Sequence, residues 1–179
     1  QYFIGAEIEI DGPAFDDTTV ELMDFAPARS DRIDFLYVLP FSAERALIET
    51  TSFAARPPAA GDLEATLKEA VARFAAGRAC RELRRENGFI PMQPQAAHLT
   101  AATGHPGWVR AGVVGGAARP STGYAFQRIQ RAADRLAAQL RSGDTPTAPA
   151  LDGPLTRGMD ALFVKVIRRW PAMGPQLFL

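Results

Sequence analysis

The sequence predicts an α+β fold, an antiparallel sheet combined with helices, from three observations. The first third of the chain alternates apolar and polar residues in short segments separated by turn residues, as strands do. Later segments repeat apolar residues at helical spacing. Between two of these lies a stretch of glycine, proline, serine and threonine. The apolar content of 47% in 179 residues is enough for a buried core.

Four strands are predicted at residues 2–10, 18–25, 35–41 and 46–53. The alternation is cleanest in the first, whose apolar face carries Ile4, Ala6, Ile8 and Ile10. Because short turns join the segments, an antiparallel meander is expected. Such a sheet has one face on a core or ligand and the other in water.

A helix is predicted after the sheet, with Asp62 as its N-cap and Gly77 as its stop. Its apolar stripe consists of Leu63, Leu67, Ala70, Val71 and Phe74. Residues 80–86 fit either a continuation of this helix or a strand. Asn87 and Gly88 form a dipeptide typical of a hairpin, so a turn is expected there.

A strand, a glycine-containing loop and a helix are predicted next. Residues 108–114 are expected to form a buried strand, and residues 126–140 a helix with an apolar stripe. The loop between them contains Gly115, Gly116, Pro120, Ser121, Thr122, Gly123 and Tyr124. Such a junction presents unpaired N–H groups and a positive dipole end to an electron-rich ligand. The pattern alone leaves open both cofactor binding and a tight structural turn.

The last part of the chain combines a linker with an amphipathic helix. Residues 142–154 are rich in Pro, Gly, Asp and Thr. Residues 156–170 have an apolar stripe flanked by Arg and Lys, which consists of Met159, Leu162, Phe163, Val166, Ile167 and Trp170. This helix either lies at a membrane interface or packs on the rest of the domain. The chain is thus divided into three parts, residues 1–107, 108–141 and 142–179.

Charge is distributed unevenly, although the formal net charge is zero. Residues 1–109 carry a net charge of −6 and residues 110–179 one of +6. The two halves complement each other, and the basic half can also face phosphates or an anionic membrane. Nucleic-acid binding is not expected, since the arginines lie along helices without an aromatic platform or a known motif.

The cysteine and histidine residues of the chain argue against an internal disulfide and against a Cys/His metal site. The single Cys80 excludes an internal disulfide, and no Cys/His spacing suits a metal site. His98 and His105 are interpreted as surface histidines. Without a spanning apolar segment or a signal peptide, a cytoplasmic protein, soluble or peripheral to the membrane, is expected. Because the chain begins at Gln1 within a strand and ends on apolar residues, truncation at both ends is expected.

Glu49 is the candidate catalytic residue. By parity its side chain shares a face of the fourth strand with those of Leu47, Thr51 and Phe53. If that face is buried, desolvation raises the pKa of the Glu49 carboxyl, which keeps a general acid protonated near neutral pH. The alternative is a glutamate on an edge strand, paired with Arg45 or Arg56.

Five segments of the chain follow one another in a recognisable order: residues 23–25, 35–42, 46–51 (Ala-Leu-Ile-Glu-Thr-Thr), 88–92 and 115–124. Together they resemble the C-terminal half of the flavin-dependent lycopene cyclases. The resemblance covers nearly the whole chain.

This resemblance implies the p-hydroxybenzoate-hydroxylase-like class, with this chain as the C-terminal part of a two-part, Rossmann-like FAD-binding fold. Residues 1–107 would cover the substrate, and the stretch from Pro120 to Tyr124 would contact the flavin ring. The sequence lacks the Gly-x-Gly-x-x-Gly fingerprint of the dinucleotide-binding half, so the chain alone is expected to bind FAD poorly or not at all. It also has Arg29 where many relatives have glutamine.

Lycopene cyclases close the linear ends of lycopene into rings without net oxidation or reduction. A proton adds to a terminal double bond, a neighbouring double bond attacks the carbocation, and a second proton is lost. Glu49 matches the family's essential acidic residue, and the reduced flavin anion would be stabilised by a helix starting at Thr122 and Gly123. The alternatives are a flavin-dependent hydroxylase or reductase acting on another isoprenoid, and a non-catalytic hydrophobic-ligand module.

Overall fold

A computed structural model describes residues 1–59, 61–92, 108–148 and 151–178. The chain divides into two compact units. The first consists of Gln1–Phe89 and Ile167–Leu179, and the second of Ile90–Val166. His98 and His105 lie outside the described residues.

The first unit is built on a five-stranded antiparallel sheet. Its strands are β1 (Tyr2–Ile10), β2 (Glu21–Phe25), β3 (Arg32–Pro40), β4 (Arg45–Ala54) and β5 (Cys80–Phe89). Their order in the sheet is β2-β3-β4-β1-β5. The expected meander is therefore correct for β2, β3 and β4 but wrong for β1, which lies between β4 and β5. An interior place suits β1, since residues on both of its faces are buried.

The second strand is shorter than expected because its first residues form a turn. The Asp16 carboxylate accepts hydrogen bonds from Thr18 N at 3.0 Å, Thr18 Oγ1 at 2.6 Å and Thr19 Oγ1 at 2.8 Å. These bonds compete with a strand ladder, as short polar side chains commonly do. The strand begins only at Glu21.

The main core lies between one face of the sheet and helix α1 (Asp62–Ala75). The sheet contributes Ala6, Ile8, Ile10, Leu36, Val38, Ala46 and Ile48, and the helix contributes Leu67, Ala70 and Ala75. The predicted alternation of β1 is thereby confirmed. Asp62 is the first helical residue and not the N-cap, which is Gly61 at φ 90°. Its carboxylate instead accepts a hydrogen bond from Arg32 Nη1 at 2.9 Å.

Strand β5 contains the dipeptide for which a turn was expected. Asn87 pairs with Ile4 and Gly88 with Phe3 in the β1–β5 ladder, so the turn prediction is wrong. A Cβ atom at Gly88 would lie 2.8 Å from the ring of Phe3. The glycine therefore leaves room for the aromatic side chain on the neighbouring strand. In the sequence, a glycine with this role looks the same as the glycine of a turn.

The opposite face of the sheet is called the Glu49 face below, because Glu49 lies on it. One end of this face is covered by a 3-10 helix (Pro171–Met173) and the short helix α4 (Gly174–Phe178). The ring of Phe178 lies 5.7 Å from that of Phe53 and 6.1 Å from that of Phe25. Phe35 packs edge-on against Phe53 at 5.0 Å. Aromatic packing thus closes this end of the face.

The second unit contains helix α2 (Phe126–Arg141) and most of helix α3 (Pro154–Arg169). The buried strand expected at residues 108–114 is absent. Trp108 and Val114 are 69% and 74% exposed, and residues 112–116 form consecutive turns. Gly112, at φ 63°, accepts backbone hydrogen bonds from Gly115 and Ala117, both at 3.0 Å. Apolar residues without strict alternation therefore form turns here and not a ladder.

The buried side of helix α3 differs from the apolar stripe expected from the sequence. Its buried residues are Asp160, Val164 and Ile167, whereas Met159 and Leu162 are exposed. Trp170, expected on the same stripe, lies just after the helix and is exposed. Among the described residues, no helix is long and apolar enough to cross a membrane.

Candidate active site

Glu49 lies near the middle of the sheet. β4 is the central strand, and Glu49 faces Tyr37 of β3 on one side and Gly5 of β1 on the other. The interpretation of Glu49 as an edge-strand residue paired with arginine is therefore wrong. Arg45 instead donates a 2.6 Å hydrogen bond from Nε to Glu7 Oε1. Within the described part of the chain, Glu49 has no ion-pair partner.

The surroundings of Glu49 favour its protonated form. Burial raises the pKa of the half-buried Glu49 carboxyl, and the negative charge of Glu86 raises this pKa further. A 2.8 Å hydrogen bond from Thr51 Oγ1 to Glu49 Oε1 acts in the opposite direction. Desolvation is the largest of the three effects. The expected shift of the Glu49 pKa is thereby present, and its causes are burial and a like charge.

Glu86 of β5 approaches Glu49 across Gly5. Gly5 is the register partner of both glutamates. A Cβ atom placed on Gly5 would lie 3.4 Å from Glu49 Cβ and 3.4 Å from Glu86 Cγ. The absence of a side chain at Gly5 therefore lets the two acidic side chains approach each other over its buried backbone.

One cavity is lined by Thr51 and does not have Glu49 among its lining residues. It has a volume of about 430 Å³ and lies beside the outer strands and α1. Phe25, Phe35, Thr50, Thr51 and Arg73 are among its lining residues. Thr51 lines this cavity and also donates a hydrogen bond to Glu49, so it is a neighbour of both the cavity and the carboxyl group.

The seven predicted cofactor-binding residues lie together in the second unit, within residues 115–124, called the glycine turn segment below. Arg119 N donates to the carbonyl of Tyr124 at 2.9 Å, and Gly123 N donates to that of Arg119 at 2.8 Å. Gly116 and Gly123 have φ values of 89° and 77°, which favour glycine. Helix α2 begins at Phe126 and not at Thr122 and Gly123 as expected.

The side chain of Asp160 in α3 accepts hydrogen bonds from the glycine turn segment. Its Oδ1 atom accepts a 2.7 Å hydrogen bond from Ser121 Oγ and a 3.0 Å bond from Arg119 Nε. Asp160 is 2% exposed, and its Oδ2 atom has no hydrogen-bond partner among the described residues. One buried carboxylate thus fixes two residues of the segment from about 40 positions along the chain.

Arg128 is the second side chain that holds this segment. It lies in the first turn of α2, and its Nη2 atom contacts Asp152 Oδ2 at 2.6 Å and the Gly116 carbonyl at 3.4 Å. Its buried Nε and Nη1 atoms have no partner among the described residues. Unsatisfied buried donors of a cation suit an anionic or carbonyl-bearing ligand.

Sequence reasoning missed both Asp160 and Arg128. Asp160 interrupts an otherwise apolar stretch, Met-Asp-Ala-Leu-Phe, which was the available signal. Arg128 is one of several arginines in α2, and nothing in its spacing distinguishes it. No group of three or more His, Cys, Asp or Glu side chains within the described ranges is arranged to hold a metal ion.

Comparison with solved structures identifies the class of fold. A geranylgeranyl bacteriochlorophyll reductase-like protein from Thermoplasma acidophilum superposes with a TM-score of 0.54 at 13% identity. The match covers 92% of this chain and 38% of that protein. At this identity the likeness shows a shared fold and no more.

Sequence comparison identifies the family. The family model described as lycopene cyclase protein matches residues 1–170. The chain is 34% identical over 140 residues to a lycopene beta-cyclase from Paracoccus sp. (strain N81106 / MBIC 01143), covering 76% of this chain and 35% of that protein. A lycopene beta-cyclase from Pseudescherichia vulneris is 29% identical over 149 residues, covering 82% of this chain and 38% of the relative.

The chain therefore belongs to the lycopene cyclase family. It spans between a third and two fifths of the length of these two relatives.

Proposed function

We propose that this chain supplies the proton donor for the redox-neutral cyclisation of an acyclic carotene, with Glu49 as the general acid. The observation that carries the proposal is the setting of Glu49, a half-buried carboxyl in the central strand of the sheet. Burial and a neighbouring negative charge raise its pKa. Protonation of an alkene needs an acid that keeps its proton near neutral pH and meets the substrate in a poorly hydrated place.

In the proposed reaction, Glu49 provides the first proton. The O–H bond of Glu49 breaks as its proton forms a C–H bond at a terminal double bond of the carotene. The carbocation is attacked by a neighbouring double bond, which closes the ring, and loss of another proton completes the isomerisation. Thr51 Oγ1, 2.8 Å from Glu49 Oε1, orients the acid and stabilises the carboxylate left after proton transfer.

The glycine turn segment is the proposed contact for FAD, and the N–H groups of Gly115, Gly116 and Gly123 donate to backbone carbonyls of the chain itself. Gly115, Gly116, Pro120, Ser121, Thr122, Gly123 and Tyr124 would bind the cofactor, with the stretch from Pro120 to Tyr124 at the flavin ring. Arg128 adds buried N–H donors without protein partners, and α2 has no acidic residue in its first turn. A positive helix end and a guanidinium both favour an electron-rich ring edge. When bound in its reduced form, the flavin would supply negative charge that stabilises a carbocation.

The proposal is tested by expression in lycopene-accumulating bacteria. The 179-residue chain is expressed alone and in place of the matching segment of the Paracoccus relative, and cyclic carotenes are measured by chromatography. We expect Glu49→Gln to reduce ring formation about 10²–10⁴-fold, the usual contribution of a general acid. Glu44→Gln, at an exposed turn glutamate, is the control. Absence of rings in both wild-type settings, or an equal yield from Glu49→Gln, would reject the proposal.

The same assay separates the proposed reaction from a hydroxylase or reductase acting on another isoprenoid. Cyclisation leaves the elemental composition of the carotene unchanged, so its product has the mass of lycopene. A hydroxylated or reduced product, formed with consumption of NAD(P)H, would favour the alternative activity. Flavin binding is measured from flavin fluorescence in the purified 179-residue chain and in the purified Paracoccus protein that carries it.

We further propose that helix α3 makes peripheral contact with a membrane through its exposed apolar residues. Leu155, Met159 and Leu162 are exposed and follow one another at spacings of four and three, which places them on one side of the helix. Lys165 and Arg169 are exposed and lie beside the same side of the helix, where they suit an anionic lipid surface. This role is proposed because a carotene substrate partitions into lipid.

The membrane proposal is tested by flotation of the purified chain with vesicles. Vesicles of neutral phosphatidylcholine are compared with vesicles that contain anionic phosphatidylserine. We expect the wild-type chain to float with the anionic vesicles and Leu162→Glu to lose most of this binding. Leu140→Glu, at an exposed leucine of α2, is the matched control. Equal flotation of the three proteins, or none by wild type, would contradict the proposal.

A further inference from the structure

Glu86 takes no part in the steps assigned to Glu49, although only Gly5 lies between the two glutamates in the sheet register. The two glutamates lie on β5 and β4, and Gly5 of β1 is the register partner of each. Neighbouring strands are about 4.8 Å apart, and β1 lies between the strands that carry the two glutamates. A side chain at position 5 would therefore normally lie between those of Glu49 and Glu86. The glycine removes this separation. A Cβ at Gly5 would already be in van der Waals contact with both glutamates, at 3.4 Å.

The φ angle of Gly5 does not lie in the left-handed region, so its backbone conformation does not require glycine. At Gly88 the missing side chain is explained by the ring of Phe3, but at Gly5 the nearest side-chain atoms belong to the two glutamates. Glycine at position 5 therefore leaves open the space between the side chains of Glu49 and Glu86. An approach of two carboxyl groups is unfavourable unless one of them keeps its proton or both serve a ligand.

The two carboxyl groups differ in their partners. Glu86 Oε2 lies 3.2 Å from Arg84 Nη2, so Glu86 is half of an ion pair. Glu49 accepts a hydroxyl hydrogen bond from Thr51 and has no ion-pair partner in the described part of the chain. Environments that differ in this way separate two neighbouring carboxyl groups into an acid and a carboxylate.

The other charged and titratable groups on this face do not disturb the assignment. Glu7 of β1 is buried and is bonded to Arg45, and Arg84 Nε lies 3.5 Å from Glu7 Oε2. Arg84 thus links Glu7 and Glu86, and both acids are paired. Tyr37 of β3 faces Glu49 from the other side. Burial raises the pKa of the Glu49 carboxyl.

We propose that Glu86 is a second catalytic residue, the carboxylate that lies beside the carbocation and takes the second proton. This proposal rests on the proposed function of Glu49. Glu49 donates its proton to the terminal alkene and becomes a carboxylate, ring closure moves the positive charge, and the ring C–H bond breaks as its proton passes to Glu86. Transfer of that proton from Glu86 to Glu49 across Gly5 restores both groups. One proton enters and one leaves, and no electrons are exchanged with another reactant.

The matched variants are Glu86→Gln and Glu82→Gln. Both glutamates lie on β5 and both pair with an arginine of the same strand, Arg84 and Arg85 respectively. Glu82 pairs in register with Ile8, whose side chain faces α1, and therefore lies on the opposite face from Glu86. The two substitutions remove the same charge from the same strand, and one of them leaves the Glu49 face unchanged.

The first measurement is a carboxyl ¹³C NMR titration of Glu49 in the purified chain, which needs neither cofactor nor substrate. The titration midpoint of Glu49 should fall in Glu86→Gln, because a like charge is removed, and should stay unchanged in Glu82→Gln. An unchanged midpoint in Glu86→Gln would overturn the pairing of the two residues.

The second measurement is ring formation, in the bacterial assay and in extracts over a range of pH. We expect Glu86→Gln to lose about 10²-fold or more of the activity, Glu86→Asp to retain part of it and Glu82→Gln to match wild type. In extracts, the fall of activity toward low pH, which reports a base that must be ionised, should disappear in Glu86→Gln. Wild-type ring formation by Glu86→Gln would overturn this proposal and leave that for Glu49 standing. Absence of ring formation by the wild-type protein would instead reject the proposed function of Glu49.

Discussion

The Glu49 face and the glycine turn segment are each stabilised by a different kind of interaction. Around Glu49, register across four strands and a shared apolar core fix the position of each side chain. In the glycine turn segment, the structure depends on turns and on two polar side chains from α2 and α3, Arg128 and Asp160. The comparison shows that the periodic burial of the sheet and α1 is readable from sequence, whereas a turn held by distant polar groups is not.

This difference also suits the proposed roles. A general acid needs a fixed and poorly hydrated place, which the interior of a sheet provides. A cofactor-binding turn needs backbone approach without side chains, which glycines at positive φ provide. The two parts are expected to respond differently to substitution, and three predictions follow in order of decreasing effect.

The largest effect is expected from Leu67→Ala in α1. Leu67 is 1% exposed in the core between the helix and the sheet, so its loss should lower the free energy of unfolding by about 2–5 kcal/mol. Urea unfolding measures this change, and hydrogen exchange should show the loss in β1 and β4. Leu162→Ala, at an exposed leucine, should change the free energy by less than about 0.5 kcal/mol. Similar effects from both variants would contradict the assigned core.

An intermediate effect is expected from Asp160→Ala, which leaves Ser121 and Arg119 without their shared acceptor. The expected loss is about 2–3 kcal/mol, since a buried hydroxyl and part of a guanidinium lose their partner. Asp160→Asn keeps an acceptor oxygen and should cost less.

Hydrogen exchange at residues 119–124 measures the effect of Asp160→Ala locally, with Asp134→Ala at an exposed position of α2 as the control. Unchanged exchange at these residues would show that the glycine turn segment holds its conformation without Asp160.

The smallest effect, and one of opposite sign, is expected from Glu49→Gln at neutral pH. The folded-state pKa of Glu49 is raised, so folding is penalised above that pKa, and the penalty disappears as the pH falls below the ordinary glutamate value. Glu49→Gln should therefore stabilise the chain at pH 7, by at most about 1 kcal/mol for a half-exposed group. Thermal unfolding at pH 7 and pH 4 measures the difference, which should shrink at the lower pH. A destabilised variant at pH 7 would contradict the assigned environment.

Local pattern predicted the strands and the first helix well, because each depends on its own periodicity. The alternation of β1 and the face of Glu49 followed from parity alone, since a strand has only two faces. The family was likewise readable from short segments in order, and the family model confirms it. The roles of the seven turn residues and of Glu49 stay predictions.

Pattern failed where a residue served a distant partner. Gly88 gives room to Phe3 inside a strand, and Asp160 replaces an apolar residue on α3 because it binds Ser121. Both are separated from their partners by dozens of positions, so no local window contains the reason for them. The order of the strands was missed in the same way, since β1 pairs with β4, which follows β2 and β3 in the chain, and with β5, which follows α1.

The sequence by itself determined that the chain has an antiparallel sheet, a glutamate on one face of its fourth strand and the segments of a lycopene cyclase. Local periodicity and composition contain this information. Only the tertiary structure decided that β4 is central and that Glu86 approaches Glu49 over Gly5. Strand order and register arise from burial of the whole sheet against α1, and so the second carboxyl group of the proposed site comes from a part of the chain where the sequence indicated no site.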